Sequence, residues 1–144
     1  MIRFLPFVLL IVFAANCGTT NHRLGNVSVE NPLIGTWNLV KSASYGPNDQ
    51  GIFQLNETSL LALECTYLFS EDGTVSISKN HLAYSKGNYS YRFYEGYLGP
   101  EGTGDPLQLL EIGTFTWVYT LEDQFMKLSL LHVDGPVIYL EKAN

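Results

Sequence analysis

From Leu33 onward the apolar residues of this chain recur at every second position, in short runs broken by turn-forming residues. That period marks half-buried strands, whose side chains point alternately to opposite faces. Leu33, Gly35, Trp37 and Leu39 share one face of the first run, and Leu61, Leu63, Cys65, Tyr67 and Phe69 form the next. Ser70-Glu71-Asp72-Gly73 reads as a hairpin turn, because Asp-Gly supplies the positive φ that a tight turn needs. Val75 and Ile77 return on one face. Lys86-Gly87-Asn88 is a second turn, after which Tyr89, Tyr91 and Phe93 alternate with Ser90 and Arg92. Leu107 to Thr120 is one long strand kinked at Gly113, or two strands. Turns at Glu122-Asp123-Gln124 and Val133-Asp134-Gly135-Pro136 lead into Met126-Leu128-Leu130 and Val137 to Lys142. Tyr45 to Glu57 and the Gly-rich Glu95 to Pro106 interrupt the meander and read as long loops. No helical period emerges. Short strands joined by tight turns predict an all-β fold, either an antiparallel sandwich or an up-and-down barrel, and a barrel leaves no exposed strand edges.

The first residues have a different character. Met1-Ile2-Arg3 is a short positive start, and Phe4 to Ala15 is an unbroken apolar run. The run is too short for the ~20 residues of a spanning helix and fits the core of a signal peptide. Ala14-Ala15-Asn16-Cys17 resembles a bacterial lipobox, in which small residues precede a Cys that becomes the lipid-modified first residue of the mature chain. An ordinary cleavage site after Cys17 is the alternative. The resulting expectation is a signal peptide over 1–16, a lipidated Cys17 with a polar tether over 17–31, and one barrel domain over 32–144. More than one acyl chain gives stable anchoring. By resemblance to known sorting signals, Gly18 after Cys17 points to the outer membrane of a cell envelope, and the tether's lack of an acidic run to a periplasm-facing position. Lipidation would leave Cys65 without an intramolecular partner; a Cys17–Cys65 bridge is the other possibility.

Losing the leader removes Arg3 from 8 basic side chains and none of the 14 acidic ones, so the net charge becomes one unit more negative than −6. That balance argues against nucleic acid as a partner, and against electrostatic attachment to anionic lipid. Membrane association would then come from the lipid anchor.

Leu33-Ile-Gly-Thr-Trp-Asn-Leu-Val40, Tyr67-Leu-Phe-Ser-Glu-Asp-Gly-Thr-Val75 and Gly113-Thr-Phe-Thr-Trp117, in that order behind a lipobox, resemble the small bacterial lipocalin-like lipoproteins of calycin type. The resemblance covers most of Leu33 to Lys142. It implies an up-and-down antiparallel β-barrel of about eight strands that encloses a small apolar ligand or is filled with side chains. It also implies that Trp37, in Gly35-Thr36-Trp37, is structural and closes one barrel end. Lipocalins often place an Arg from the last strand over that Trp, where this chain offers Lys142.

Tyr67, Phe69, Tyr89, Tyr91, Phe93, Phe115 and Trp117 fall on strand faces that would share one interior, where rings and hydroxyls suit a small amphipathic molecule. Glu111 is the remaining candidate. If it shares the face of Leu109 and Phe115 it points inward, where an acid must be paired or protonated; a register shift at Gly113 would turn it outward. His22, His81 and His132 share no ligand spacing and read as surface or strand-end residues, so no metal is predicted. No nucleophile elbow, phosphate loop or dinucleotide fingerprint is present, so no cofactor is predicted either. The leading expectation is a non-enzymatic, lipid-anchored binder of a small hydrophobic molecule. The alternative is a filled barrel acting as a protein-interaction or inhibitor module through its loops. An enzyme using Glu111 comes third.

Overall fold

A computed structural model describes residues 31–99 and 104–144. The expected signal peptide over 1–16, Cys17 and the tether up to residue 30 lie outside the described residues, as do His22 and the middle of the Gly-rich 95–106 loop. Among the described residues there are nine strands: β1 (Gly35–Pro47), β2 (Phe53–Ser59), β3 (Thr66–Phe69), β4 (Thr74–Ile77), β5 (Gly87–Gly96), β6 (Leu107–Ile112), β7 (Phe115–Glu122), β8 (Phe125–Ser129) and β9 (Val137–Lys142). Eight of them form a closed antiparallel barrel in the order β1-β3-β4-β5-β6-β7-β8-β9, with β9 pairing back onto β1. The chain is therefore an all-β, up-and-down barrel. Among the described residues no helix is long and apolar enough to cross a membrane.

Two departures from the sequence reading concern β1 and its neighbours. Tyr45 to Glu57, read as a loop, is mostly strand. β1 continues to Pro47, and β2 pairs with Lys41–Pro47 along the edge that β3 uses at Gly35–Asn38. Most of this ribbon is exposed, so no apolar alternation announces it. Its turn is set by Asn48, whose Oδ1 accepts the N–H groups of Gln50 at 3.0 Å and Ile52 at 2.9 Å, the local bonding for which Asn is favoured in turns. Conversely, Leu61 to Leu63, read as strand, is a 3-10 turn with Leu61 exposed. It carries the chain from β2 back to β3 beside β1.

Opposed residues of an antiparallel pair share a face. Trp37 opposes Tyr67, Leu39 opposes Leu140 and Ser42 opposes Ile138, all inward. The pairing of β1 with β9 skips Val40, a bulge that leaves Val40 and Lys41 both on the outer wall and returns Ser42 to the inside. On the outer wall Val40 packs with Ala43, Val137 and Tyr139. Leu107 to Thr120 resolves into β6 and β7, joined by a turn in which Gly113 has φ 58°. Within the β3–β4 turn, Gly73 has φ 81°, and Asp72 Oδ1 accepts the Thr74 N–H at 3.0 Å.

The interior is occupied. Tyr67, Phe69, Trp117, Leu110, Ile112, Met126 and Leu128 are all within 1 % of complete burial, and each such side chain contributes roughly 1.5–3 kcal/mol over an exposed one. Alternating strand directions define two barrel ends. One end holds the start of β1 and the β3–β4 turn. The other holds the β4–β5 connection, the β6–β7 turn and the start of β9.

Candidate binding site

Strand side chains line the interior from both walls. Tyr67, Phe69 and Trp117 are buried, while Tyr89, Tyr91 and Phe93 are half-buried against the same core. Phe69 and Tyr91 meet edge to face at 5.0 Å, as do Phe93 and Tyr119. Phe115, 40 % exposed, stands on the rim of the β4–β5 end but still meets Trp117 at 6.4 Å. Six of the seven aromatic candidates thus pack into one interior, and Phe115 stands at its rim.

At the β3–β4 end the closure is made by Trp37, whose Nε1–H donates to the Leu33 carbonyl at 2.7 Å. Lys142 Nζ lies 5.5 Å from the Trp37 ring centroid, within range of a cation–π contact. Asn31 Nδ2 donates to the Tyr91 hydroxyl, which donates to the Ser70 carbonyl at 2.9 Å. Those bonds tie the entering chain to the β3–β4 turn.

The opposite end is closed by a residue that the sequence does not single out. Tyr84 belongs to the connection between β4 and β5, yet it is 5 % exposed. Its hydroxyl accepts the Trp117 Nε1–H at 2.6 Å and donates to the Ile112 carbonyl at 3.2 Å. Five rings surround its own: Tyr89 at 5.2 Å, Phe115 at 5.6 Å, His81 at 5.8 Å, Trp117 at 6.1 Å and Tyr67 at 6.4 Å. Burial pushes the hydroxyls of Tyr84 and Tyr67 well above their ordinary range, so both stay neutral. An aromatic residue in a stretch without periodicity carries no signal of which way it faces, which is why Tyr84 escapes a strand-pattern reading.

His81, read from the sequence as a surface or strand-end residue, is half-buried beside Tyr84. Its Nε2 lies 2.6 Å from the Tyr67 hydroxyl, and its Nδ1 is 3.4 Å from the Ala83 N–H. Both contacts are satisfied by the tautomer that carries its proton on Nε2 and accepts at Nδ1. Burial lowers the imidazole pKa. His132 is exposed in a second 3-10 turn, Leu131–Val133.

Glu111 lies on the outer wall, directly opposite Arg92. Ile112 opposes Phe115 across the Gly113 turn, so Phe115 faces inward while Glu111 shares the outer face with Leu109. The carboxylate accepts two bonds from Arg92, at 2.9 and 3.1 Å, and one from the Tyr94 hydroxyl at 2.8 Å. Those bonds, Arg92's first, lower its pKa. It is an ionised surface carboxylate with its lone pairs engaged, unsuited to proton transfer inside the barrel. Among the described residues no group of three or more His, Cys, Asp or Glu is placed to hold a metal ion. Cys65 is buried, with Sγ 3.6 Å from the Lys79 carbonyl.

The clefts on the outside include two of similar size. One of about 490 Å3, lined by Tyr45, Phe53, Leu131, Asp134 and Gly135, sits between the β1–β2 ribbon and the turn before β9. The other, about 540 Å3, runs over Val40, Leu61 and Phe125 and is edged by Lys41, Glu57 and Glu141. Lys41 and Glu57 are paired across it at 2.8 Å. Comparison of the chain with protein-family models, with curated proteins and with solved structures returned no match to any of them.

Proposed function

We propose that the protein is a lipocalin-like member of the calycin-type barrels, exported and held at the cell envelope by a lipid on Cys17, that binds a small molecule with an apolar body and a polar tip. The observation that carries this reading is the asymmetry of the two barrel ends. Strand and entry residues stop the β3–β4 end, whereas the β4–β5 end is stopped by one short connecting segment, through the buried Tyr84 ring with His81 beside it. A loop can leave its place at far lower cost than a barrel strand, whose ladder bonds would all have to break. The rings of Tyr67, Tyr89 and Trp117 beneath it, with two hydroxyls and one indole N–H, are of the type that lines ligand pockets. Native mass spectrometry of the protein taken from its own envelope tests the reading. A bound small-molecule mass is expected, and protein that is always bare would overturn it. For the anchor, metabolic labelling with a radioactive fatty acid should mark the wild-type chain and not a Cys17→Ala chain; an unlabelled wild-type chain would refute lipidation.

A second reading, a protein-interaction module, is favoured by one specific feature. Tyr45, Phe53 and Val133 are each more than 60 % exposed close to the 490 Å3 cleft, and apolar side chains gathered at a surface mark contact sites. Replacing Tyr45 and Phe53 with Ser should abolish co-purification with an envelope partner while leaving the melting temperature intact. Retention of the partner would exclude this surface.

A further inference from the structure

The ring of Tyr84 sits where a ligand would sit, and its surroundings are built as a binding site is built. The cage comes from separate strands: Tyr67 from β3, Tyr89 from β5, and Phe115 and Trp117 from β7. The two groups that hold its hydroxyl, the Trp117 indole N–H and the Ile112 carbonyl, also belong to the barrel wall. One donor and one acceptor, fixed on a buried wall at the end of an aromatic slot, specify a planar ring bearing one neutral hydroxyl.

The segment that delivers Tyr84, residues 80–86, is knit together by bonds of its own. His81 N–H donates to the Tyr84 carbonyl at 2.8 Å, and Lys86 N–H to Asn80 Oδ1 at 2.7 Å. Leu82 at its tip is 75 % exposed. Its ties to the barrel include the two bonds of the Tyr84 hydroxyl, the His81–Tyr67 contact and one bond from the Tyr89 hydroxyl to the Ser85 carbonyl at 2.8 Å, while Ser78 ahead of it is held to β3, donating its N–H to the Thr66 carbonyl at 3.0 Å and accepting the Thr66 N–H on Oγ at 2.8 Å. Such a segment can lift as a unit, keeping its internal bonds.

We propose that Tyr84 is an internal stand-in for the ligand, and that the protein binds small neutral phenols, which displace Tyr84 as the segment from residue 80 to residue 86 swings out. The inference rests on the binding function proposed above and names its ligand class. A carboxylate or phosphate is disfavoured, because it would bring a charge against the four rings that the wall keeps, with no cation among them. Lys86 at the end of the segment and Lys79 just before it are exposed. Rings without a hydroxyl are disfavoured because the Trp117 N–H would lose its partner in a dry site.

The probe is p-cresol, the side chain of tyrosine itself, titrated into the 15N-labelled full-length chain. The two tryptophans make the readout selective, since Trp117 Nε1 bonds Tyr84 while Trp37 Nε1 bonds Leu33 at the other end. The Trp117 indole resonance should shift saturably while that of Trp37 stays, and amides of the 80–86 segment should lose protection from exchange. Toluene should bind at least about tenfold more weakly. Tyr84→Ala, which removes the internal competitor, should bind p-cresol more tightly than wild type. No saturable shift at Trp117 in the wild-type chain would overturn the proposal, whether or not Tyr84→Ala folds and binds. Equal affinity for toluene would overturn the phenol assignment. A non-phenolic mass carried by native protein, together with a silent p-cresol titration, would refute this inference while leaving the general binding function standing.

Discussion

Replacing Tyr84 with Phe tests the hydroxyl clamp apart from any ligand. The substitution keeps the ring and its edge contacts and removes one oxygen. Trp117 is fully buried, and its Nε1–H donates to that oxygen at 2.6 Å. Without it, a buried donor is left unpaired, at about 1–3 kcal/mol. The Ile112 carbonyl loses less, because its bond from Tyr84 is the longer, at 3.2 Å, and Ile112 stays in register with Phe115 across the β6–β7 turn. The expected loss is about 2 kcal/mol. For a domain of roughly 110 residues this lowers the melting temperature by about 8 °C. Tyr89→Phe is the control, since its hydroxyl bonds the Ser85 carbonyl at an exposed site; that change should cost under ~1 kcal/mol. Calorimetric or urea unfolding of both variants provides the comparison. A Tyr84→Phe chain as stable as wild type, or a Tyr89→Phe chain equally damaged, would refute the clamp.

Two further perturbations follow from the same packing. Burial holds the His81 imidazole below its ordinary value of 6.5, so the unfolded chain takes up that proton first as pH falls. The contribution of neutral His81 to stability is complete above pH 6.5 and is lost as pH drops below it; urea midpoints should therefore fall more steeply below pH 6.5 for wild type than for His81→Gln, and parallel profiles would show that His81 is not the group responsible. At Gly135, an added Cβ would stand 2.6 Å from Leu130 Cβ and 3.2 Å from the Leu130 carbonyl. Neither is a flexible side-chain end, so Gly135→Ala should destabilise by about 1–3 kcal/mol in chemical denaturation; an unchanged midpoint would mean that the turn before β9 yields freely.

Alternation along the chain is enough to place most of the interior. Tyr67, Phe69, Tyr89, Tyr91, Phe93 and Trp117 are recognisable as one inward set, because a strand has only two faces and one of them is polar. The turn at Asp72-Gly73 is equally legible, since few residue pairs adopt its backbone angles. The same rule fails where both faces meet the same environment. The exposed β1–β2 ribbon shows no contrast and reads as loop. Leu61 and Leu63 extend an apolar period past the end of the strand it belongs to and are a 3-10 turn instead.

The all-β character, the strand faces and the turns with special backbone angles were thus determined by the sequence itself, through local sterics and the two-residue period. Closure of β9 onto β1, the outward turn of Glu111 and the descent of Tyr84 into the barrel were decided only by tertiary structure. Glu111 depends on how Gly113 sets the register of β6 against β7, which a strand pattern does not encode across a turn. Tyr84 depends on a cage assembled from β3, β5 and β7, residues far apart in the chain. Its burial is a property of the closed barrel, and no stretch of sequence around Tyr84 contains it.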